Sequence, residues 1–364
     1  MHPLIVTPLY PPAIGGAATH FGIIAPALRD HPAVERVTVL TERLSGEPTE
    51  PTEGSLRIVR RLPRHVGLAY RQQWRRALGY VRTQWWFHRN LAPLVRQIGA
   101  DVIHLHARYR GRVLYAALRR TGVPVIANLH DKLTPPRRAA HVAQVVLCCA
   151  EGVREFAIRD GVAATQVRLV PLPLALPAAA SSTTIAEQYH LTPKNYVLFA
   201  GEITRRKGVY ELLAGYRAWR SDGSMPLALA GTNWEGKRFI RQVQQTPGAV
   251  YLGPVPHAET IALMREAAVV VLPSHSEGLP YVILEAIAMG TKVISPPGIP
   301  EFGRHLPASV LTEVSAAAIS RALEQVAAET GSPSYPLAQH DPARVLDELV
   351  QLYAETVRPH GRRD

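Results

Sequence analysis

Short apolar runs alternate with helical patterns along the chain, and this alternation constrains the fold more than any other feature. In the first half the apolar runs, each typical of a buried strand, are Leu4 to Thr7, Val37 to Thr41, Val102 to His106, Val123 to Leu129 and Val145 to Cys149. Helical patterns lie between them at Ala17 to Leu28, Val113 to Arg120 and Gly152 to Arg159. Such alternation favours right-handed crossovers and a parallel sheet covered on both faces. The first half therefore predicts a doubly wound domain.

A proline-rich stretch separates this half from a second one. Val170 to Pro177, followed by the small residues Ala178 to Thr184, can sustain neither a helix nor a central strand. The alternation then restarts, with strand patterns at Tyr196 to Ala200, Leu227 to Ala230, Val250 to Leu252, Val269 to Leu272 and Val293 to Ser295. Helical patterns follow at Val209 to Arg220, Ile261 to Ala267 and Tyr281 to Met289. The second half predicts another doubly wound domain.

The sequence therefore predicts an α/β chain with two doubly wound, Rossmann-like domains facing a central cleft. We expect the domains at residues 1–175 and 190–340, because single cores usually stop growing near ~250 residues and the chain has 364. Residues 341–364 should form a final helix and tail, since Pro342 to Val357 is amphipathic and should pack on one of the sheets. Ligands of open α/β sheets bind at the carboxyl ends of the strands, so the chemistry is expected there.

The composition excludes several protein classes. No apolar run reaches the ~18 residues of a membrane span, and Met1 to Pro8 lacks the basic and long apolar regions of a secretory signal. A cytoplasmic protein is therefore expected. The two cysteines, Cys148 and Cys149, lie in an apolar run, which predicts buried strand residues and not a disulfide or a metal site.

The formal net charge of +12 favours anionic partners such as nucleotides, anionic lipids or nucleic acid. Arginines and aromatic residues crowd one segment: Arg60, Arg61, Arg64, Arg71, Trp74, Arg75, Arg76, Tyr80, Arg82, Trp85, Trp86, Phe87 and Arg89. This mixture is typical of a membrane interface. A basic amphipathic helix whose aromatic residues cap the core is an equal alternative.

Two features of the first half place polar groups at strand ends. Gly15 and Gly16 precede a helix, where backbone amides can approach an anion, although a plain tight turn has the same pattern. The spaced three-glycine fingerprint of dinucleotide enzymes is not present. His106 ends a buried strand that also carries His104, and it is either a ligand-facing residue or a hydrogen-bonded structural one.

A basic turn in the second half is a third candidate. Arg205, Arg206 and Lys207 come directly before a helix, which is unfavourable for the helix dipole unless an anion lies among them. A diphosphate would remove that conflict. A solvated basic loop is the alternative.

The most specific motif runs from Pro273 to Ala286. Glu277 follows a buried strand, Pro280 suits the first turn of the next helix, and Glu285 falls about one turn inside it. Backbone amides of Gly278, Leu279 and Tyr281 could hold a phosphate or a sugar hydroxyl, and carboxylates accept hydrogen bonds from vicinal hydroxyls. A helix-start acid with a surface charge is the alternative, but it leaves the rest of the motif unexplained.

Together these motifs resemble the family-4 retaining glycosyltransferases of the GT-B fold. The resemblance covers nearly the whole chain: the glycine turn, Asp101 to His106, Gly201 to Gly208, Leu252 to Val255, and the glutamates Glu277 and Glu285 with seven residues between them. It implies that Gly16 donates its amide to the donor diphosphate and that His106 contacts the transferred sugar. It also implies that Lys207 neutralises the leaving phosphate, that Glu285 binds the ribose hydroxyls, and that Glu277 binds the hexose hydroxyls.

Two departures from the family pattern bear on activity. Glu202 follows Gly201 where the family usually has an arginine, so Arg205 or Arg206 must substitute or phosphate binding is impaired. Pro171-Leu172-Pro173 replaces the usual Asn-Gly between the domains.

The resemblance implies retaining, metal-independent transfer of a hexosyl group from a nucleotide-diphosphate sugar, with no cofactor. The lack of an Asp-x-Asp motif agrees with this. The arginine and tryptophan segment favours a lipid-linked or envelope-glycan acceptor and peripheral contact with the anionic inner face of a membrane. The alternatives are a non-catalytic or partner-dependent GT-B protein, suggested by Glu202, and a basic membrane-binding or nucleic-acid-binding protein. A hydrolase or epimerase on the same fold is a further alternative.

Overall fold

The computed structural model describes residues 1–13, 15–63, 73–109, 111–176, 185–220, 224–328, 331 and 333–358. The chain divides into two compact units. The first comprises Met1–Pro173 together with Gln339–Asp364, and the second comprises Leu174–Ala338.

The first unit is built around one sheet. Its strands are β1 (Pro3–Val6), β2 (Val37–Glu42), β3 (Thr52–Glu53), β4 (Leu56–Leu62), β5 (Val102–His106), β6 (Val125–Leu129), β7 (Val145–Cys148) and β8 (Val167–Leu169). They lie in the order β3-β4-β2-β1-β5-β6-β7-β8. All neighbouring pairs are parallel except β3 with β4. The connecting helices are α1 (Gly16–Asp30), α2 (Gln73–Ile98), α3 (Arg112–Arg119), α4 (Arg137–Ala140) and α5 (Glu151–Arg159).

Successive side chains of β1 divide the apolar core of this unit into two layers. Leu4 packs with Phe87 of α2 on one face of the sheet, and Ile5 packs with Phe21 of α1 on the other. Strand side chains point alternately to opposite faces, so an uninterrupted apolar strand requires helices on both sides. The expected doubly wound domain is confirmed here.

The second unit contains a parallel sheet of its own. Its strands are β9 (Val197–Ala200), β10 (Leu227–Ala230), β11 (Ala249–Gly253), β12 (Val269–Val271) and β13 (Lys292–Ile294), in the order β11-β10-β9-β12-β13. Its helices are α6 (Ile185–Gln188), α7 (Val209–Trp219), α8 (Lys237–Gln244), α9 (His257–Glu266), α10 (Tyr281–Ala288), α11 (Pro300–His305) and α12 (Ala316–Ala328). All the pairs are parallel, as predicted.

The last helix, α13 (Pro342–Val357), belongs to the first unit. Asp341 caps it, accepting a hydrogen bond from the amide of Arg344 at 2.9 Å. Leu349 and Tyr353 join the same core layer as Phe21. The sequence predicted this helix, and the structure shows that it packs on the sheet of the first unit.

The arginine and aromatic segment divides between several structural roles. Arg60 and Arg61 lie in β4, a strand that the sequence pattern did not reveal because arginines interrupt its apolar run. Arg60 is 4% exposed and donates from a terminal guanidinium nitrogen to the Pro11 carbonyl at 2.5 Å. For Arg60, both the membrane interface and the alternative of an amphipathic helix are therefore wrong. Phe87 is fully buried in the core.

Other members of that segment lie on the surface or outside the described region. Tyr80 and Trp85 are 40% and 59% exposed. Arg64 and Arg71 lie outside the described residues, as do the side chains of Trp74, Arg75 and Arg76.

Cys148 and Cys149 are both buried and unbonded to each other, in agreement with the sequence. Across the described part of the chain, no helix combines the length and the apolar character needed to cross a bilayer.

Candidate functional site

The basic turn of the second unit lies between β9 and α7. Arg205, Arg206 and Lys207 form one turn of 3₁₀-helix, and Gly208 follows with φ 70° before α7 begins. A Cβ atom at Gly208 would lie 2.0 Å from the carbonyl oxygen of Pro273. Glycine is therefore needed here both for the left-handed backbone and for the close approach to the segment after β12.

This close approach brings the two predicted motifs of the second unit together. The backbone carbonyl of Arg206 accepts hydrogen bonds from the amide of His275 at 2.9 Å and from the hydroxyl of Ser274 at 3.2 Å. The basic turn and the loop that carries Glu277 are thus joined through the main chain. These hydrogen bonds fix the position of the basic turn relative to the Glu277 loop.

Lys207 and Arg206 both reach the carboxylate of Glu277. The Lys207 ammonium donates to Oε1 at 2.6 Å, and a terminal nitrogen of Arg206 lies 3.3 Å from the same oxygen. The Lys207 and Glu277 side chains are only 15% and 13% exposed. Two cations therefore share one carboxylate oxygen in a largely buried position.

The pKa of Glu277 shows which influence dominates. Burial acts most strongly, and alone it would raise the pKa, but the charges of Lys207 and Arg206 together with hydrogen bonds reverse the effect. The resulting pKa lies below the ordinary value for glutamate. Glu277 is therefore ionised at neutral pH despite its burial.

Arg205 points elsewhere. Its amide donates to Oε1 of Glu235 at 3.0 Å, and its guanidinium lies 5.2 Å from the ring centre of Tyr210. Tyr210 in turn donates to Oε2 of Glu235 at 3.1 Å. The sequence could not distinguish the two arginines, but the structure shows that Arg206 contacts Glu277 whereas Arg205 contacts Glu235.

Glu202, the departure from the family pattern, faces Arg206. Its carboxylate lies 3.7 Å from a terminal nitrogen of Arg206, whose other terminal nitrogen donates to the carbonyl of Ser276 at 3.1 Å. Arg206 therefore bridges Glu202 and the Glu277 loop. Glu202 therefore lies beside a cation of the site, and its side chain is 48% exposed.

The start of α10 supplies unpaired donors beside Glu277. Pro280 caps the helix and is followed by Tyr281 as its first residue. Within the described residues, the backbone amides of Gly278 and Leu279 make no hydrogen bond. They are two of the three amides that the sequence predicts to hold a phosphate oxygen or a sugar hydroxyl.

Glu285 lies in the second turn of α10 and pairs with a residue that the sequence did not single out. Its carboxylate Oε1 lies 2.8 Å from Nε2 of His257, the first residue of α9. The hydrogen bond to Glu285 raises the pKa of His257, and burial partly offsets that rise. In the sequence, the only indication that His257 belongs to the site is its position directly after the Leu252 to Val255 motif and Pro256.

In the first unit, the glycine turn opens α1. Gly15 is the N-cap, with φ 142°, and its carbonyl accepts from the amide of Thr19 at 3.0 Å. The first turn contains no acidic residue, and Gly15 has no side chain to cap it. Gly16 is the first helical residue, so its amide belongs to the donors at the positive end of the helix.

His106 lies at the carboxyl end of β5 within a cluster of buried histidines. Its ring stacks on that of His130, with centroids 5.0 Å apart and an interplanar angle of 19°. Its Nδ1 accepts from the amide of Arg108 at 3.1 Å, so the neutral ring carries its hydrogen on Nε2. His20 packs edge-on to His130 at 4.4 Å.

A hydrogen-bonded chain links this cluster to the last helix. The Tyr353 hydroxyl lies 2.6 Å from Nδ1 of His104, and Nε2 of His104 lies 2.8 Å from the side-chain amide of Asn128. That amide lies 3.4 Å from Nε2 of His20. His104 is therefore a structural hydrogen-bonding residue within the core.

Burial lowers the pKa of every histidine in the cluster. The pKa falls to about 4 for His130 and about 3 for His104, and it lies well below the ordinary value for His20 and His106. Neighbouring histidines add to the effect at His20, His104 and His106. These rings are neutral at physiological pH, so His106 can donate a hydrogen bond but carries no charge.

No group of three or more histidine, cysteine, aspartate or glutamate side chains within the described ranges is arranged to hold a metal ion. The candidate residues of the second unit are the cations Arg206 and Lys207, the carboxylates Glu277 and Glu285, and the backbone amides of Gly278 and Leu279.

Two family models match the chain. The model described as Glycosyltransferase Family 4 matches residues 14–175, which include the glycine turn and His106. The model described as Glycosyl transferases group 1 matches residues 194–329, which include Lys207, Glu277 and Glu285.

Known proteins agree with these matches. A D-inositol 3-phosphate glycosyltransferase of Pseudarthrobacter chlorophenolicus is 27% identical over 226 residues, covering 54% of each chain. The chain spans about half the length of the curated relatives it matches.

Solved structures match over nearly the whole chain. Sucrose-phosphate synthase from Thermosynechococcus elongatus is similar with a TM-score of 0.70 and 17% identity, covering 98% of this chain and 96% of its own. The Anabaena protein Alr3699/HepE is similar with a TM-score of 0.67 and 14% identity, covering 98% and 100%. These likenesses show the fold. With both family models matched in sequence order on that fold, the chain belongs to the family-4 glycosyltransferases of the GT-B type.

Proposed function

We propose that this protein transfers a hexosyl group from a nucleotide-diphosphate sugar to an acceptor, with retention of anomeric configuration and without a metal ion. The observation that carries the proposal is the convergence of Lys207 and Arg206 on Glu277, beside the free amides of Gly278 and Leu279. A cluster of this kind supplies cations for phosphate and a carboxylate for sugar hydroxyls within one small volume.

The chemistry of such a transfer matches these residues. As the glycosidic bond of the donor breaks, negative charge grows on the departing diphosphate, and preorganised cations stabilise that charge most. Lys207 and Arg206 are held in place by Glu277 and by the Ser276 carbonyl. In the proposed reaction they neutralise the diphosphate, which also takes up the proton of the attacking acceptor hydroxyl. The attack occurs on the face that the diphosphate leaves.

The related proteins support the donor class. The Anabaena protein was solved in complex with UDP and glucose. The Pseudarthrobacter relative is named for transfer to D-inositol 3-phosphate. A nucleoside diphosphate, a hexose and a hydroxyl-bearing acceptor are therefore the ligand classes we assign to this chain.

Thermal unfolding with added nucleotides tests the donor site directly. A ligand that binds the folded chain raises its melting temperature by mass action. Among UDP, GDP, ADP and CDP, we expect one base to raise the melting temperature of the native chain, and the rise to disappear in Lys207→Ala. Lys237→Ala, which removes an exposed lysine of α8, is the matched control and should keep the rise.

Two measurements test the finer parts of the proposal. NMR of the product should show the anomeric configuration of the donor, and an inverted product would exclude same-face attack. Turnover should persist in EDTA, and its loss would assign a metal to the reaction. Donor binding without turnover over a broad acceptor panel would instead favour a non-catalytic family member.

We also propose that helix α2 brings the enzyme to an anionic membrane surface and to a lipid-linked acceptor. Leu78, Val81 and Trp85 are 54%, 60% and 59% exposed, and their spacing places them on one helical face. The Arg89 guanidinium lies 4.9 Å from the Trp85 ring centre. Exposed apolar and aromatic residues beside arginines suit the boundary between headgroups and acyl chains.

Vesicle cosedimentation tests this surface. The native chain should bind vesicles containing phosphatidylglycerol more strongly than vesicles of phosphatidylcholine alone. Trp85→Ala should weaken that binding, whereas Trp234→Ala, which removes a 48%-exposed tryptophan of the second unit, should not. Equal effects of the two substitutions would contradict a specific role for α2.

A further inference from the structure

We infer that His257 is a positioning residue that orients the Glu285 carboxylate toward the ribose hydroxyls of the donor. The inference rests on the proposed function, in which Glu285 binds ribose, and adds a residue and a mode of action to it. His257 lies at the start of α9, 28 positions before Glu285 in the sequence.

The geometry shows a carboxylate held by one oxygen. Oε1 of Glu285 lies 2.8 Å from Nε2 of His257. The other oxygen, Oε2, forms no hydrogen bond with the described part of the chain. It is also not fully buried, so solvent can reach it. One oxygen is thus fixed, and the other can accept from a ligand.

The two side chains differ in exposure in a way that suits these roles. The Glu285 side chain is 6% exposed, whereas that of His257 is 47% exposed. A buried carboxylate needs a hydrogen-bonding partner to remain charged. His257 supplies that partner from the surface.

The terminal torsion of glutamate explains why a partner matters for binding. Rotation of a carboxylate about its last bond is broad and roughly two-fold, so an unpaired carboxylate samples many orientations. Vicinal ribose hydroxyls need oxygens in one fixed direction. A hydrogen bond from His257 to Oε1 removes that freedom before the nucleotide arrives, which lowers the cost of binding.

Calorimetric titration with matched nucleotides tests the inference on the full chain. Titration with UDP, GDP, ADP and CDP first identifies the ribonucleotide that the native chain binds most tightly. The 2′,3′-dideoxy analogue of that nucleotide, which lacks both ribose hydroxyls, is then titrated for comparison. The native chain should bind the ribonucleotide at least about tenfold more tightly than the analogue. His257→Ala should lose this preference, while its affinity for the analogue stays the same.

Two further variants separate positioning from general disturbance. His257→Gln places an amide donor where Nε2 stood and should restore most of the preference. Adding His257→Ala to Glu285→Gln should cause little further loss, because residues that act as a unit are not additive. His31→Ala removes another histidine paired with a carboxylate, at 3.3 Å from Asp347 in the first unit, and should leave both affinities unchanged.

The outcomes distinguish this inference from the function on which it rests. If the native chain binds none of the nucleotides, the proposed function fails and the inference falls with it. If the native chain prefers the ribonucleotide but His257→Ala keeps that preference, only the role of His257 is overturned. An equal loss for both nucleotides in His257→Ala would also overturn it.

Discussion

The ammonium of Lys207 donates to Oε1 of Glu277 at 2.6 Å, across 70 positions of the chain. The proposed function assigns different parts of the donor to these two residues: Lys207 meets the anionic diphosphate, and Glu277 accepts hydrogen bonds from the neutral hexose hydroxyls. In this structure the two side chains form an ion pair with each other. The donor therefore meets two residues that already form an ion pair, with its diphosphate beside Lys207 and its hexose beside Glu277.

Glu277→Gln should separate nucleotide binding from sugar binding. The substitution removes the carboxylate that competes for Lys207, so affinity for the nucleoside diphosphate should stay the same or increase. Affinity for the matching nucleotide sugar should fall by about tenfold relative to the diphosphate, because the amide is a weaker acceptor for hydroxyls. Calorimetry with both ligands measures the ratio. An equal loss for the two ligands would show that Glu277 acts only by holding Lys207.

Arg206→Ala and Arg205→Ala should differ in their effect on nucleotide binding. Arg206 reaches Glu277 at 3.3 Å, whereas Arg205 is engaged with Glu235 and Tyr210. A charge-assisted hydrogen bond contributes about 1.5–3 kcal/mol, so Arg206→Ala should weaken diphosphate binding by at least about tenfold. Arg205→Ala should weaken it by less than about threefold. The reverse order would assign the phosphate contact to Arg205.

Gly208→Ala should destabilise the chain more than Gly99→Ala. Both glycines have a positive φ, 70° at Gly208 and 69° at Gly99, but an added Cβ at Gly208 would lie 2.0 Å from the Pro273 carbonyl oxygen. At Gly99 nothing lies within 4 Å of that position. We expect each change to cost about 1 kcal/mol for backbone strain, and Gly208→Ala to cost a further 2 kcal/mol or so for the clash. Urea denaturation measures both, and equal losses would contradict the close approach.

The chain should lose stability as the pH falls from about 6.5 toward 4. The pKa of His130 is lowered to about 4 by burial, against 6.5 for the unfolded residue. Below pH 6.5 the unfolded chain therefore binds a proton that the folded chain does not, and folding becomes less favourable. His104, with a pKa of about 3, acts in the same direction.

His130→Phe measures how much the titration of His130 alone contributes to this loss of stability. The substitution keeps an aromatic ring in the stack with His106 and removes the titrating group. The free energy of unfolding should then fall with pH less steeply, by about 1.4 kcal/mol per pH unit, between 6.5 and 4. Urea denaturation at a series of pH values measures this slope. An unchanged slope would show that His130 is charged in the folded chain.

Much of the fold could be predicted from the sequence because the signals are local. Alternating apolar runs and helical patterns identified β1, β2, β5, β6 and β7 of the first unit and all five strands of the second, and the same reasoning predicted α13. The strand β4 was missed because Arg57, Arg60 and Arg61 break its apolar pattern. Burial of the Arg60 guanidinium depends on the Pro11 carbonyl, a contact that no local pattern contains.

The candidate site shows the same limit. The sequence by itself determined that a basic turn and a paired-glutamate motif follow two strands of one sheet, since motif spacing and strand order are properties of the chain. Only the tertiary structure decided that Arg206 and not Arg205 joins Lys207 at Glu277, and that His257 holds Glu285. It also decided that four histidines share one buried cluster. These relationships depend on side-chain direction and burial between residues distant in sequence, and only the folded chain fixes those quantities.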